Sequence, residues 1–146
     1  GLGNGVPIGA LGCTDEAATG FAVGSHGSTF GGNPLCCAAA LATIRTILEP
    51  PLLDEVREMG VYLHQRLLDF KDTHPHVKEV RGLGLMRGIE FDAPVAPLVK
   101  ELLAAGIVCG SAGPHVLRLL PPLIVERDHI DRFMAVLPAC VGNVSW

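Results

Sequence analysis

Charged side chains are sparse in this chain, 18% of its residues, and they are not gathered into runs. Lys and Arg total 11 against 15 Asp and Glu, a formal net charge of −4, so there is no basic footprint for a nucleic acid. No apolar run approaches the length of a membrane-spanning helix, and no segment resembles a secretory signal. The first residue is Gly1 rather than Met, so the natural start is expected to be missing or removed. Metal-ligand spacing is absent too. Cys13, Cys36, Cys37, Cys109 and Cys140 are odd in number and form neither a C-x-x-C nor a Cys/His set. They are expected to be buried free thiols in a reducing cytoplasm. Lysine is scarce, with only Lys71, Lys78 and Lys100. No internal repeat or low-complexity tract appears. What the chain has in quantity is apolar surface, 49% of residues, enough for one domain with a sizeable core and for burial against something else.

Periodicity sets the expected elements. Residues 1–12 read as a glycine-rich turn leading into a short apolar strand, Val6 to Leu11, and 13–33 as mostly connection. From Pro34 to Leu48 the apolar positions lie on nearly every side, Leu35, Leu41, Ile44 and Leu48 among them, which predicts a buried helix. Glu49-Pro50-Pro51 stops it. Leu52 to Lys71 carries Val56, Met59, Leu63, Leu67 and Phe70 at three- and four-residue spacing, a second helix. After His74-Pro75-His76 the period becomes two. Leu83, Leu85, Ile89 and Phe91 then fall on one strand face, with Gly82 and Gly84 marking a bend or bulge. Pro94 to Ala105 is predicted helical, with Gly106 as its left-handed cap. Short strands at Ile107 to Cys109 and Val116 to Leu120 follow. Glu126 to Val141 closes with a helix striped by Ile130, Phe133, Leu137 and Val141. The order predicts a small α/β sandwich.

Several residues carry chemistry. Gly24-Ser-His-Gly-Ser-Thr-Phe-Gly-Gly-Asn-Pro34 lies between apolar stretches and places the Ser28 and Thr29 hydroxyls beside free backbone N–H groups, a suitable set of donors for a phosphate. The same pair could instead satisfy its own turn. Asn33-Pro34 reads as a helix start, and His26, without a partner, as loop structure. Arg118 interrupts an apolar strand, where a guanidinium is costly unless an acceptor pairs with it. It reads either as a bidentate carboxylate anchor or as a structural salt bridge or snorkelling charge. Arg81 and Arg87 read as exposed or interdomain charges. Gly1-Leu-Gly-Asn-Gly5 lacks the helix start and G-K-[ST] ending of a nucleotide loop and reads as a tight turn. No carboxylate pair suggests general acid–base work: Glu90 and Asp92 sit one apart at a strand end.

Taken in order, Gly1-Leu-Gly-Asn-Gly-Val-Pro-Ile-Gly-Ala10, the Gly24–Leu35 segment, Val80-Arg-Gly-Leu-Gly-Leu-Met-Arg-Gly-Ile-Glu-Phe91 and Val116-Leu-Arg-Leu-Leu-Pro-Pro-Leu-Ile-Val125 closely resemble the C-terminal part of the class III pyridoxal-phosphate aminotransferases of the ornithine/acetylornithine type. The resemblance covers nearly the whole chain. It implies a fold-type I architecture, with residues 1–33 the tail of the cofactor-binding large domain and 34–146 a linking helix and the C-terminal small α/β domain. It implies pyridoxal 5'-phosphate as cofactor. The Ser28 and Thr29 loop would reach the phosphate across a homodimer interface, and Arg118 would hold the α-carboxylate of amino- and oxo-acid substrates. In the family the Schiff-base lysine immediately precedes the segment matching Gly1-Leu2-Gly3, so this chain alone is expected to lack it and to be inactive. Lys71, Lys78 and Lys100 look solvated, and none suits that role. The implied reaction moves the terminal amino group of N-acetylornithine, or a related ω-amino acid, to 2-oxoglutarate. The alternative is a non-catalytic binding or assembly module that reuses the small domain. Neither reading involves a metal, a nucleic acid or a membrane.

Overall fold

A computed structural model describes all residues, 1–146, and divides the chain into a unit of Gly1–Pro50 and a unit of Pro51–Trp146. The division falls after the first long helix, at the Pro50-Pro51 step that no helix can cross.

The first unit has little regular structure. Its short helix α1 (Asp15–Ala18) is capped by Thr14, whose hydroxyl accepts from Ala17 N at 3.2 Å, so the expected connection contains one helical turn. The strand expected from Val6 to Leu11 is absent. Extended backbone becomes a strand only when a neighbour pairs with it, and these residues have no ladder partner. Helix α2 (Pro34–Leu48) has the expected bounds, but not the expected burial. Only Cys36 and Ala40 are buried, while Leu35, Leu41 and Leu48 are exposed. A helix that is apolar all round is buried only where something surrounds it.

The second unit is an antiparallel sheet with helices on one face. It runs α3 (Leu52–Thr73), β1 (Val77–Leu83), β2 (Met86–Phe91), α4 (Ala96–Ala104), β3 (Gly110–Ser111), β4 (Val116–Leu119) and α5 (Arg127–Gly142), with strand order β1-β2-β4-β3. The single bent strand expected around Gly82 and Gly84 is a hairpin. Leu83 pairs with Met86 across a turn at Gly84-Leu85, which sends Leu83 to the open face while Leu85, Ile89 and Phe91 enter the core. Close approach of α3 to that turn requires Gly60, since a Cβ there would meet the Gly84 carbonyl carbon at 2.8 Å. Gly106, at φ +82°, closes α4 in the left-handed conformation as expected. Ile107 to Cys109 do not form the predicted strand. Ile107 N still bonds Leu102 O at 2.8 Å to finish the helix end, so pairing begins only at Gly110. The core joins Leu67 of α3, Ile89 of β2, Leu98 and Leu102 of α4, Leu117 of β4 and Leu137 of α5, all fully buried. Burying each such side chain contributes about 1.5–3 kcal/mol. The stripe Ile130, Phe133, Leu137 and Val141 faces inward as its spacing predicts.

Candidate functional site

In the first unit, the glycine-rich loop is pinned at its far end. Asn33 caps α2, its Oδ1 accepting from Cys36 N at 3.0 Å while its Nδ2 donates to Phe30 O at 2.9 Å. Ser25 is used up within its own turn, accepting from Ala22 N and donating to Ala22 O at 3.1 and 2.8 Å. Ser28 and Thr29 are different: both are exposed, and neither hydroxyl bonds to any group of the chain. The loop therefore presents two free hydroxyls. His26 is exposed beside them.

In the second unit, strand alternation decides which charges face out. Val80, Ile89 and Leu117 form a row toward the helices, and the neighbouring row, Arg81–Gly88–Arg118–Gly110, lies on the opposite, open face. Arg118 is thus not buried among Leu117 and Leu119; the strand is apolar on one side only. The expected desolvation cost does not arise, because the guanidinium sits in solvent. No carboxylate of this chain pairs with it. Its neighbours on both flanking strands are glycines, and a Cβ added at Gly110 would lie 3.5 Å from Arg118 Nη2. Arg81, by contrast, contacts Glu79 Oε2 at 2.7 Å and also Glu90 Oε2. Hydrogen bonds to Glu90 first and Glu79 second push its guanidinium above its ordinary value.

Arg87 is not the exposed charge the sequence suggests. It is buried on the helix side of β2, donating from Nη1 to Gly82 O at 2.7 Å and from Nη2 to Gly60 O at 2.9 Å. Its Nε has no partner, and burial lowers its pKa. Lys78 and Lys100 are exposed and Lys71 half-buried near the end of α3; Lys78 lies 3.8 Å from Asp92. All five cysteines are free, yet only Cys36 and Cys140 are buried as expected; Cys37 and Cys109 are half-buried, and Cys13 is exposed because its unit has almost no interior. Burial pushes the Cys109 and Cys140 thiols up. A concavity of about 530 Å³ in the second unit is lined mainly by apolar groups such as Leu63, Ile107, Pro121 and Phe133, and Arg118 is not part of it. Shape alone would point there. Chemistry points to the open sheet face, where a free cation is available.

The Gly88 and Gly110 flanks and the uneven pairing of Arg81 were not read from the sequence. Both depend on register, and register was hidden while the hairpin passed for one strand.

The chain matches the family Aminotransferase class-III over residues 1–141. It is a class III aminotransferase chain. It is 43% identical over 145 residues to the acetylornithine aminotransferase of Bacillus subtilis, covering 99% of this chain and 37% of that one. The acetylornithine aminotransferase of Methanocaldococcus jannaschii is 46% identical over 136 residues, 93% of this chain and 34% of that one. Among solved structures, a phospholyase from Arthrobacter in complex with phosphoethanolamine superimposes with a TM-score of 0.85, at 31% identity over 99% of this chain and 37% of that chain. This class III aminotransferase chain therefore spans little more than a third of the relatives it matches. The family match takes in both units, so the hydroxyl loop and the Arg118 face both lie within class III sequence.

Proposed function

We propose that the full-length protein is a pyridoxal-phosphate-dependent aminotransferase that moves the terminal amino group of N-acetylornithine, or a related ω-amino acid, to 2-oxoglutarate, as a homodimer with shared active sites. The names of the relatives support the substrate class. The observation that carries the reading is Arg118, an exposed guanidinium with no carboxylate of its own and glycine on either side. The donor reacts at its terminal carbon, remote from its own carboxylate, but the oxo-acid acceptor brings an α-carboxylate beside the carbon that reacts. A guanidinium can grip that group through two parallel hydrogen bonds, which fixes the orientation of the bond to be broken.

Ser28 and Thr29 fit the cofactor's phosphate, because their hydroxyls are exposed and unspent and the segment around them is rich in glycine. When bound, pyridoxal phosphate supplies the electron sink. The residues of this chain bind and orient. Lys71, Lys78 and Lys100 do not line a desolvated pocket of the kind that activates an imine-forming lysine, so that lysine is assigned outside residues 1–146.

The phospholyase likeness favours one other reading, loss of phosphate from a phosphorylated amine. Phosphoethanolamine carries no carboxylate for Arg118 to hold, so one experiment separates the two. The full-length protein is assayed with N-acetylornithine plus 2-oxoglutarate, and separately with phosphoethanolamine. Glutamate should form in the first mixture, and Arg118→Lys should lower kcat/KM for 2-oxoglutarate by roughly tenfold or more, with cofactor binding nearly unchanged. Native kinetics for 2-oxoglutarate in that variant would make Arg118 structural. Phosphate release without glutamate formation would replace transamination with elimination.

A further inference from the structure

Between its two pinned ends, the glycine-rich loop carries a third unspent side chain. Ser25 is closed on Ala22, and Asn33 on Phe30 and Cys36, which leaves His26, Ser28 and Thr29 as the other hydrogen-bonding side chains from 25 to 33. His26 is exposed, and its ring makes no hydrogen bond or ion pair with any group of the chain. A histidine kept for the shape of its loop would bond to that loop; this one does not. Two apolar side chains bracket the segment, Val23 fully exposed and Phe30 81% exposed. Apolar groups placed in this way belong against other protein. Once covered, the imidazole loses its water and needs a polar partner. Its own unit offers little. Asp15 and Glu16 lie on α1 without contacting it, and Glu49 follows the far end of α2. Residues 1–44 contain no Lys or Arg. The first such residue, Arg45, stands about 17 Å along α2 from its start. His26 is therefore the one side chain of this loop able to bring positive charge to an anion.

We propose that His26 is a cofactor-binding residue: a ring N–H donates to the phosphate of pyridoxal phosphate beside the Ser28 and Thr29 hydroxyls, and as imidazolium it supplies the cationic contact those two cannot. This rests on the reading of the loop as the phosphate contact. Phosphate oxygens accept from more than two donors, and a hydrogen bond with charge on its partners is about twice as strong as a neutral one. The three side chains therefore divide the work. The hydroxyls fix where the phosphate sits, and His26 answers its charge.

The test uses the full-length protein in His26→Ala, His26→Gln and Thr29→Ala forms. Absorbance titration reads two dissociation constants without any turnover: that of pyridoxal phosphate, and that of pyridoxal, which has the same ring and aldehyde but no phosphate. His26→Ala should raise the first by roughly tenfold or more, the scale of a lost charge-assisted contact, and leave the second within about twofold of native. His26→Gln keeps a donor and loses the charge, so a rise of about threefold for pyridoxal phosphate is expected. Equal weakening of both compounds overturns the proposal, because a residue that only shapes the loop or an interface does not sense the phosphate. Native retention of pyridoxal phosphate in His26→Ala overturns it as well. Should His26→Ala fail to assemble, His26→Gln decides alone: a rise confined to pyridoxal phosphate supports the contact, and an unselective or absent rise overturns it. If Thr29→Ala itself retains pyridoxal phosphate natively, the phosphate reading of the loop has failed first, and the two failures stay distinct.

Discussion

Free hydroxyls and free thiols are the residue-scale features with the most direct consequences. Thr29 makes no hydrogen bond within the chain, so its removal should leave the loop intact and act only on a ligand. Thr29→Ala in the full-length protein should weaken retention of pyridoxal phosphate by about 1 kcal/mol for a neutral hydrogen bond, and up to about 3 if the phosphate charge is fully felt. Absorbance titration of the cofactor measures it. The lysines give a second check. Pyridoxal phosphate followed by borohydride, with peptide mapping, should yield no stoichiometric label at Lys71, Lys78 or Lys100; site-specific labelling of any of them, with turnover, would return the imine-forming role to this segment. Cysteine reactivity should be graded. Cys13 is exposed and should be alkylated first, while Cys140 is buried and its pKa raised by that burial, so less thiolate is present at any neutral pH. A time course of alkylation by intact mass reads this order, and early modification of Cys140 would mean that α5 opens readily.

At the scale of elements, Gly60 is the tightest point. Gly60→Ala would push a methyl against the Gly84 backbone, which cannot yield as a flexible side chain would, and would disturb the carbonyl that receives Arg87. A loss of about 1–3 kcal/mol is expected from overpacking, despite the better helix propensity of alanine, and thermal melting will show it. Helices were the part of this fold most legible in the sequence. The bounds of α2 agree with its Asn-Pro start and Glu-Pro-Pro stop, and the α3 and α5 stripes face the core as their spacing requires. Period-two reasoning failed at the hairpin, because alternation continues through a two-residue turn only on paper. Leu83 and Leu85 share parity, yet the chain reverses between them. The same blind spot limited the site. Arg118 stood out as a charge among leucines, but which way it faces depends on neighbours that a one-dimensional reading does not rank. Arg87 shows the converse error: a charge beside glycines looked exposed, yet α3 offers a carbonyl to receive it.

At the scale of the whole molecule, the outward apolar residues of α2 and the hydroxyl loop together suit a segment that is completed by other protein. The cross-subunit assignment has a sharp test in mixed dimers. A Thr29→Ala subunit is combined with a subunit whose cofactor-bearing lysine is replaced. In that hybrid the surviving lysine shares its subunit with the damaged loop, but would receive phosphate contacts from the intact loop opposite. One site per dimer should then regain near-native cofactor affinity. If the loop serves its own subunit, the hybrid should bind as weakly as the Thr29→Ala homodimer. The strand order of the second unit has a kinetic consequence of its own. β1 meets β2 across a tight turn and β3 meets β4 across residues 112–115, so only the β2–β4 ladder must wait for distant chain to arrive. Short loops cost little closure entropy, and topologies with mostly local pairing collapse fast. Residues 51–146 expressed alone should therefore refold in milliseconds with a single exponential, apart from slow proline phases, and the rate-limiting event should be the docking of one preformed hairpin against the other.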